Sequence, residues 1–180
     1  MLKRRDFGRG LAAVLAVAAT LGSFALIKVV KRSKELTMNS SDLADVDLVT
    51  LPSAHGASET VERLKSLLAE KGIQVFAHID HAAAAERVGM SLRPTQVLIF
   101  GKPQAGTPLM QSRQTIGLDL PLRVLVWEDS AGKVWLTYRR LESLARHHQI
   151  ADRAEAVKAL DDGLAALAHA ATSQESGSPS

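Results

Sequence analysis

RPTQVLIFGKPQAGTPLMQSRQTIGLDLPLRVLVWED, residues 93–129, carries two apolar runs, the second broken only by Arg123, around the chain's densest cluster of Gly and Pro. The first run is Val97-Leu98-Ile99-Phe100 and the second covers residues 122–127. Short apolar runs bounded by turn residues read as strands buried on both faces. Between them, Thr107-Pro108 sets an N-cap before a proline at the first helical position, which predicts a short helix through about Ser112. A core needs the two runs, so a site most naturally falls in their connection.

On the N-terminal side, residues 47–51 alternate Val or Leu with polar residues and stop at Pro52, the pattern of a short edge strand. Ser58 is the expected N-cap of a helix with Glu59 and Glu62 in its first turn. Val61, Leu64, Leu67 and Leu68 form its apolar stripe, and Lys71-Gly72 ends it. Ile73, Val75, Ala77 and Ile79 then alternate with Gln74, Phe76, His78 and Asp80, a strand period. Asp80 caps a second helix from His81 to Val88, closed by Gly89.

On the C-terminal side, Leu120-Pro121 leads into a strand over residues 122–128. Asp129-Ser130-Ala131-Gly132 is a tight turn, and residues 134–138 return as its hairpin partner. From near Asp152, the residues Val157, Leu160, Leu164, Leu167 and Ala171 keep an i+3/i+4 rhythm. Burying each large member contributes roughly 1.5–3 kcal/mol, so this helix is expected to cover a sheet face. The order predicts one α+β (layered α/β) domain over residues 47–172, a mixed sheet of about five strands under three main helices. Residues 173–180 read as a disordered tail.

Charge is unevenly placed. The chain carries +3 overall, but residues 1–34 hold eight basic residues against Asp6 alone, which leaves −4 for the rest. The basicity therefore belongs to the N-terminus and is no argument for nucleic-acid binding, and the seven aromatics lack the basic interleaving that stacking on bases needs, so no nucleic acid is expected. With no cysteine, disulfides, thiolate catalysis and Cys-ligated zinc are excluded.

Lys3-Arg4-Arg5-Asp6-Phe7 followed by the uncharged residues 11–27 resembles a twin-arginine export signal. Ser23-Phe24-Ala25 has the small residues a signal peptidase needs. If left uncleaved, 17 helical residues reach about 26 Å, and Val29-Val30 complete a membrane anchor over residues 11–30. The expectation is a signal or anchor at 1–30, a polar tether at 31–46, and a domain that is periplasmic or faces the periplasm from the inner membrane.

Five motifs occur in order: Ile79-Asp80-His81, Leu92-Arg93-Pro94-Thr95, IFGKPQAGTPLM from Ile99 to Met110, Asp119-Leu120-Pro121-Leu122 and Trp127-Glu128-Asp129. On these, residues 47–171 resemble the bacterial family called domain of unknown function 302. The resemblance implies that family's compact α/β fold and a homodimer; it implies no activity. Two positions depart from the family's pattern. Lys102 stands where an Asn is usual, and Arg139-Arg140-Leu141 replaces an Asn-Asp/Ser-Pro turn, so a site built on either does not carry over.

Gly101 to Thr107 follows a strand and opens a helix, as a phosphate-binding loop does. The triphosphate form is excluded, because Thr107 rather than Lys follows Gly106 and two prolines remove N–H donors. Helix-start N–H groups, the Thr107 hydroxyl and Lys102, with Gly106 giving room, remain suited to a carboxylate or single phosphate. The alternative is a turn shaped only for packing.

His78, Asp80 and His81 cluster in sequence, but His81 leaves the strand's face and no third ligand recurs, so no metal is expected. His81, in a first helical turn that favours its neutral form, suits a general base or is merely a hydrogen-bonded histidine. Asp119 sits between Leu118 and Leu120, a carboxylate in an apolar setting with Arg123 or backbone donors as its partners. His147-His148 reads as solvated surface.

The leading expectation is a non-enzymatic dimeric module that binds a small anionic ligand or a protein partner and needs no cofactor. The alternatives are an acid–base enzyme using His81 and Asp119, with Thr107 at the same rim, and a purely structural dimer.

Overall fold

A computed structural model describes residues 47–174; the expected signal, anchor and tether lie outside the described residues. The chain runs β1 (Leu48–Pro52), α1 (Ala57–Glu70), β2 (Gln74–Asp80), α2 (His81–Glu86), β3 (Thr95–Gly101), α3 (Pro103–Ser112), a 3-10 turn (Gln114–Leu118), β4 (Leu122–Glu128), β5 (Val134–Arg139), α4 (Leu141–His147) and α5 (Ala154–Thr172). The five strands form one sheet in the order β1-β5-β4-β3-β2. Every neighbouring pair is antiparallel, so the sheet is not mixed as expected. The architecture is a single α+β domain, an open sheet with five helices.

The caps explain several boundaries. Asp80 Oδ1 accepts the Ala83 N–H at 2.9 Å and starts α2, as the sequence predicts. Gly72 takes φ +60° just after α1, the left-handed position its place at the helix end foretells. Gly56, not Ser58, is the N-cap of α1. The first turn is tied instead by Thr60, whose hydroxyl donates to the Gly56 carbonyl at 2.9 Å and lies 2.7 Å from the Ser53 hydroxyl.

Pairing sets the faces of the sheet. Leu98 opposes Val124, and Val124 in turn opposes Tyr138; Val126 opposes Leu136. All five are buried, together with Phe100, under Val61, Leu64 and Leu68 of α1 and Leu164, Leu167 and Ala171 of α5. The alternate set, Val97, Ile99, Leu125, Trp127 and Trp135, is only half-buried. β3 and β4 are thus buried on one face, not two. Both long helices lie on the same side of the sheet, and the apolar residues of the opposite face keep contact with solvent.

Between Val75 and Ala77 the β2–β3 register slips, so that Val75 opposes Phe100 and Ala77 opposes Ile99. The extra residue, Phe76, is left out of the ladder and is exposed. Around α4 a second apolar cluster forms from Leu109, Ile116, Leu141, Leu144, Ala145, Ile150 and Val157. Leu122 and its neighbours on α5 lie between the two clusters.

Candidate functional site

A cavity of about 570 Å³ opens where the two apolar clusters fail to merge. That is within the roughly 300–1,000 Å³ range of small-molecule sites. Buried Phe100, Leu164 and Leu167 form its floor, and half-buried Leu120, Leu122, Met110 and Leu160 its sides. The displaced Phe76 stands on its rim. Lys71, Lys102 and Thr107 line the cavity too and are exposed, so they mark its mouth. Among the described residues, none that lines it is acidic.

The three residues expected to bind a ligand, Lys102, Gly106 and Thr107, all line this cavity, but the backbone around them differs from expectation. The helix starts at Pro103, a turn earlier than Thr107-Pro108, and Pro108 lies inside it. A proline at the first helical position is as strong a start signal at 103 as at 108, and the earlier one wins. Pro103 has no N–H, while those of Ala105 and Gly106 turn back to the Lys102 carbonyl at 3.0 and 3.2 Å. The helix start therefore offers no ring of free N–H donors for phosphate. Thr107 presents its hydroxyl from within α3 and not as a cap.

The Lys102 ammonium donates to the Lys71 carbonyl at the end of α1, which brings the cation across to the mouth. A Cβ placed on Gly106 would stand 3.5 Å from Leu120 Cδ1, so the glycine leaves that space to the cavity wall.

Asp119 does not pair with Arg123, which instead donates to the Leu118 carbonyl at 2.7 Å. Its partner is His148: Asp119 Oδ2 lies 2.7 Å from His148 Nε2, and His148 Nδ1 lies 3.0 Å from the Thr115 hydroxyl. His148 is not surface, as its place beside His147 suggests, but 9% exposed. The signal that could have located it is the helix Leu141–His147, whose Leu141, Leu144 and Ala145 are buried at helical spacing while Arg146 and His147 are exposed. The three-residue chain ties the C-terminal end of α4 to the 3-10 turn.

His81 lies elsewhere. It follows Asp80, which pairs with Gln96 near the start of β3, whereas Asp119 precedes Leu122, which pairs with Phe100 near its end. Four residues of strand separate those positions, about 13 Å at 3.3 Å each. Thr107 and Asp119 share one end of the sheet, and His81 follows β2 at the other. His78 Nε2 lies 2.8 Å from the Oε1 of buried Gln96, a local bond on the helix side of the sheet.

Comparison with known proteins agrees with this architecture. The family model described as Domain of unknown function DUF302 matches residues 49–167. A crystal structure of an uncharacterized conserved protein DUF302 from Bacillus stearothermophilus resembles the chain with a TM-score of 0.63. It is 20% identical, covers 69% of this chain and 97% of that one, and speaks to the fold alone. Over 124 residues the chain is 45% identical to the Fluoride-specific ion channel FluC 1 of Brucella suis, covering 68% of this chain and 49% of that protein. The protein of the same name from Brucella abortus matches equally, over 46% of its length. The chain thus spans about half the length of the curated relatives it matches. With a family match that covers more than half of the sequence, the chain belongs to the DUF302 family.

Proposed function

We propose that the domain is a non-enzymatic binding module that takes a small anionic ligand into the cavity beside α3. One observation carries this reading: among the described residues, the charged side chains that line a mostly apolar cavity, Lys71 and Lys102, are both cationic and both at its mouth. An apolar pocket with a few convergent polar groups is the usual form of a small-molecule site. Against the acid–base alternative stands the separation, about 13 Å along β3, of the strand positions that His81 and Asp119 flank. Native mass spectrometry of the purified protein tests the reading. A co-purifying anion should be present, reduced by Lys102→Ala and retained by His81→Ala. A protein that carries none, with its assembly unchanged, would leave a purely structural dimer.

The module acts as a homodimer through the sheet face opposite the helices, where Val97, Ile99, Leu125, Trp127 and Trp135 are half-buried. It is exported or held at the inner membrane facing the periplasm, on the strength of the paired arginines and the uncharged stretch after them. A reporter fused after Ser180, active only outside the cytoplasm, reads this directly; a silent fusion would refute it.

A second reading rests on the relatives named as fluoride channels, of which the chain matches about half. In it the domain is an accessory to such a membrane channel. Among the described residues no helix is long and apolar enough to cross a membrane. Fluoride release from liposomes carrying such a channel should change when the purified protein is added; an unchanged rate removes the reading.

A further inference from the structure

We infer that the cavity's ligand is a monocarboxylate on a straight, medium-length aliphatic chain, an inference that rests on the small-anion reading above and names its chemical class. The argument for the tail is the wall. Phe100, Leu120, Leu122, Leu160, Leu164 and Leu167 offer no hydrogen-bonding side chain, so a sugar, nucleotide or amino acid entering beyond the mouth would lose its hydration without replacement. The α5 wall runs from Ala159 to Leu167, eight steps or about 12 Å of helix, room along it for an extended chain. Gly163 lies on this wall, and a Cβ built there would meet nothing within 4 Å.

The argument for the head is the mouth. An ammonium has three donors, and Lys102 directs one to the Lys71 carbonyl, so two remain for ligand oxygens. The exposed Thr107 hydroxyl adds one more group that can donate. Phosphate is usually held by several backbone N–H groups or by a guanidinium fork. Here the N–H groups of Ala105 and Gly106 are taken by the Lys102 carbonyl, and among the described residues no arginine lines the cavity. Point charges beside a hydroxyl suit a singly charged head with two oxygens. Among the described residues, no acidic one lines the cavity to repel it.

Isothermal titration of the full chain with decanoate, octanoate, 1-decanol, acetate and inorganic phosphate, each below any micellar concentration and at low salt, tests the class. Decanoate should bind about 15-fold tighter than octanoate, since two further methylenes are buried at about 0.8 kcal/mol each. Lys102→Ala should weaken decanoate by about fivefold, as expected for an exposed ion pair. Gly163→Phe should abolish binding with an unchanged circular dichroism spectrum. Lys102→Ala, at the exposed mouth, keeps the test independent of how the filled cavity folds. Equal binding of 1-decanol would overturn the carboxylate. Acetate or phosphate binding as tightly as decanoate, still sensitive to Lys102→Ala, would overturn the tail and leave the small-anion reading standing. Heat from none of the five probes would overturn the inference; a different anion found by native mass spectrometry would then preserve the broader reading, and finding none would end both.

Discussion

Asp129 holds the β4–β5 turn by several bonds at once. Oδ2 accepts the Trp135 indole N–H at 2.8 Å, and Oδ1 accepts the N–H groups of Ala131 and Lys133 at 2.8 and 3.0 Å. The indole bond, then the backbone bond from Lys133, holds the carboxyl below its ordinary value. A depressed folded pKa means that the carboxylate's contribution to stability is full above the unfolded value and is lost as pH falls through the folded one. Trp135→Phe should therefore raise the Asp129 pKa toward the ordinary carboxylate range, read by NMR titration; an unmoved titration would count against the indole bond. The Asp129 turn is legible in sequence because its Asp and Gly lie three residues apart. His148 is the opposite case, since its partners Asp119 and Thr115 lie about 30 residues away in sequence. His148→Ala empties a buried position and removes two hydrogen bonds, and should cost about 1–3 kcal/mol in urea unfolding, whereas His147→Ala, at an exposed position, should stay within about 0.5 kcal/mol.

Elements with long apolar repeats were legible, and short ones were not. The stripe of Val61, Leu64 and Leu68 locates α1 because 14 residues repeat the pattern. α4 is only seven residues long, too short for a period to stand out from a connection. α3 shows a different limit: two prolines each fit a helix start, and local sequence alone does not choose between them. Two glycines separate local from tertiary cause at this scale. Gly163 lies inside α5 with open space around it, so Gly163→Ala should stabilise the protein by about 0.5–1 kcal/mol through helix propensity. Gly72 has φ +60°, so Gly72→Ala should destabilise by about 1 kcal/mol. Thermal or urea unfolding of the pair should give shifts of opposite sign, and shifts of the same sign would contradict the backbone assigned to one of them.

For the whole molecule, the sheet's two faces are the main consequence of placing α1 and α5 on one side. Leu125 lies on the half-buried face, opposite Thr137 on one side and Val97 on the other. Leu125→Glu should turn the proposed dimer into a folded monomer in sedimentation velocity; a dimer that persists would locate the contact elsewhere. The sequence by itself determined the class of the domain, the five strands, the hairpin turn and the two long helices, because period, caps and turn residues act over a few neighbours. It also placed Lys102, Gly106 and Thr107 together, since seven consecutive residues contain them all. Only the tertiary structure decided that both long helices share a face, that His148 meets Asp119, and that His81 stands at the far end of the sheet. Each of these depends on the order in which strands pair, and antiparallel neighbours far apart in sequence are chosen by the packing of the whole core rather than by any local pattern.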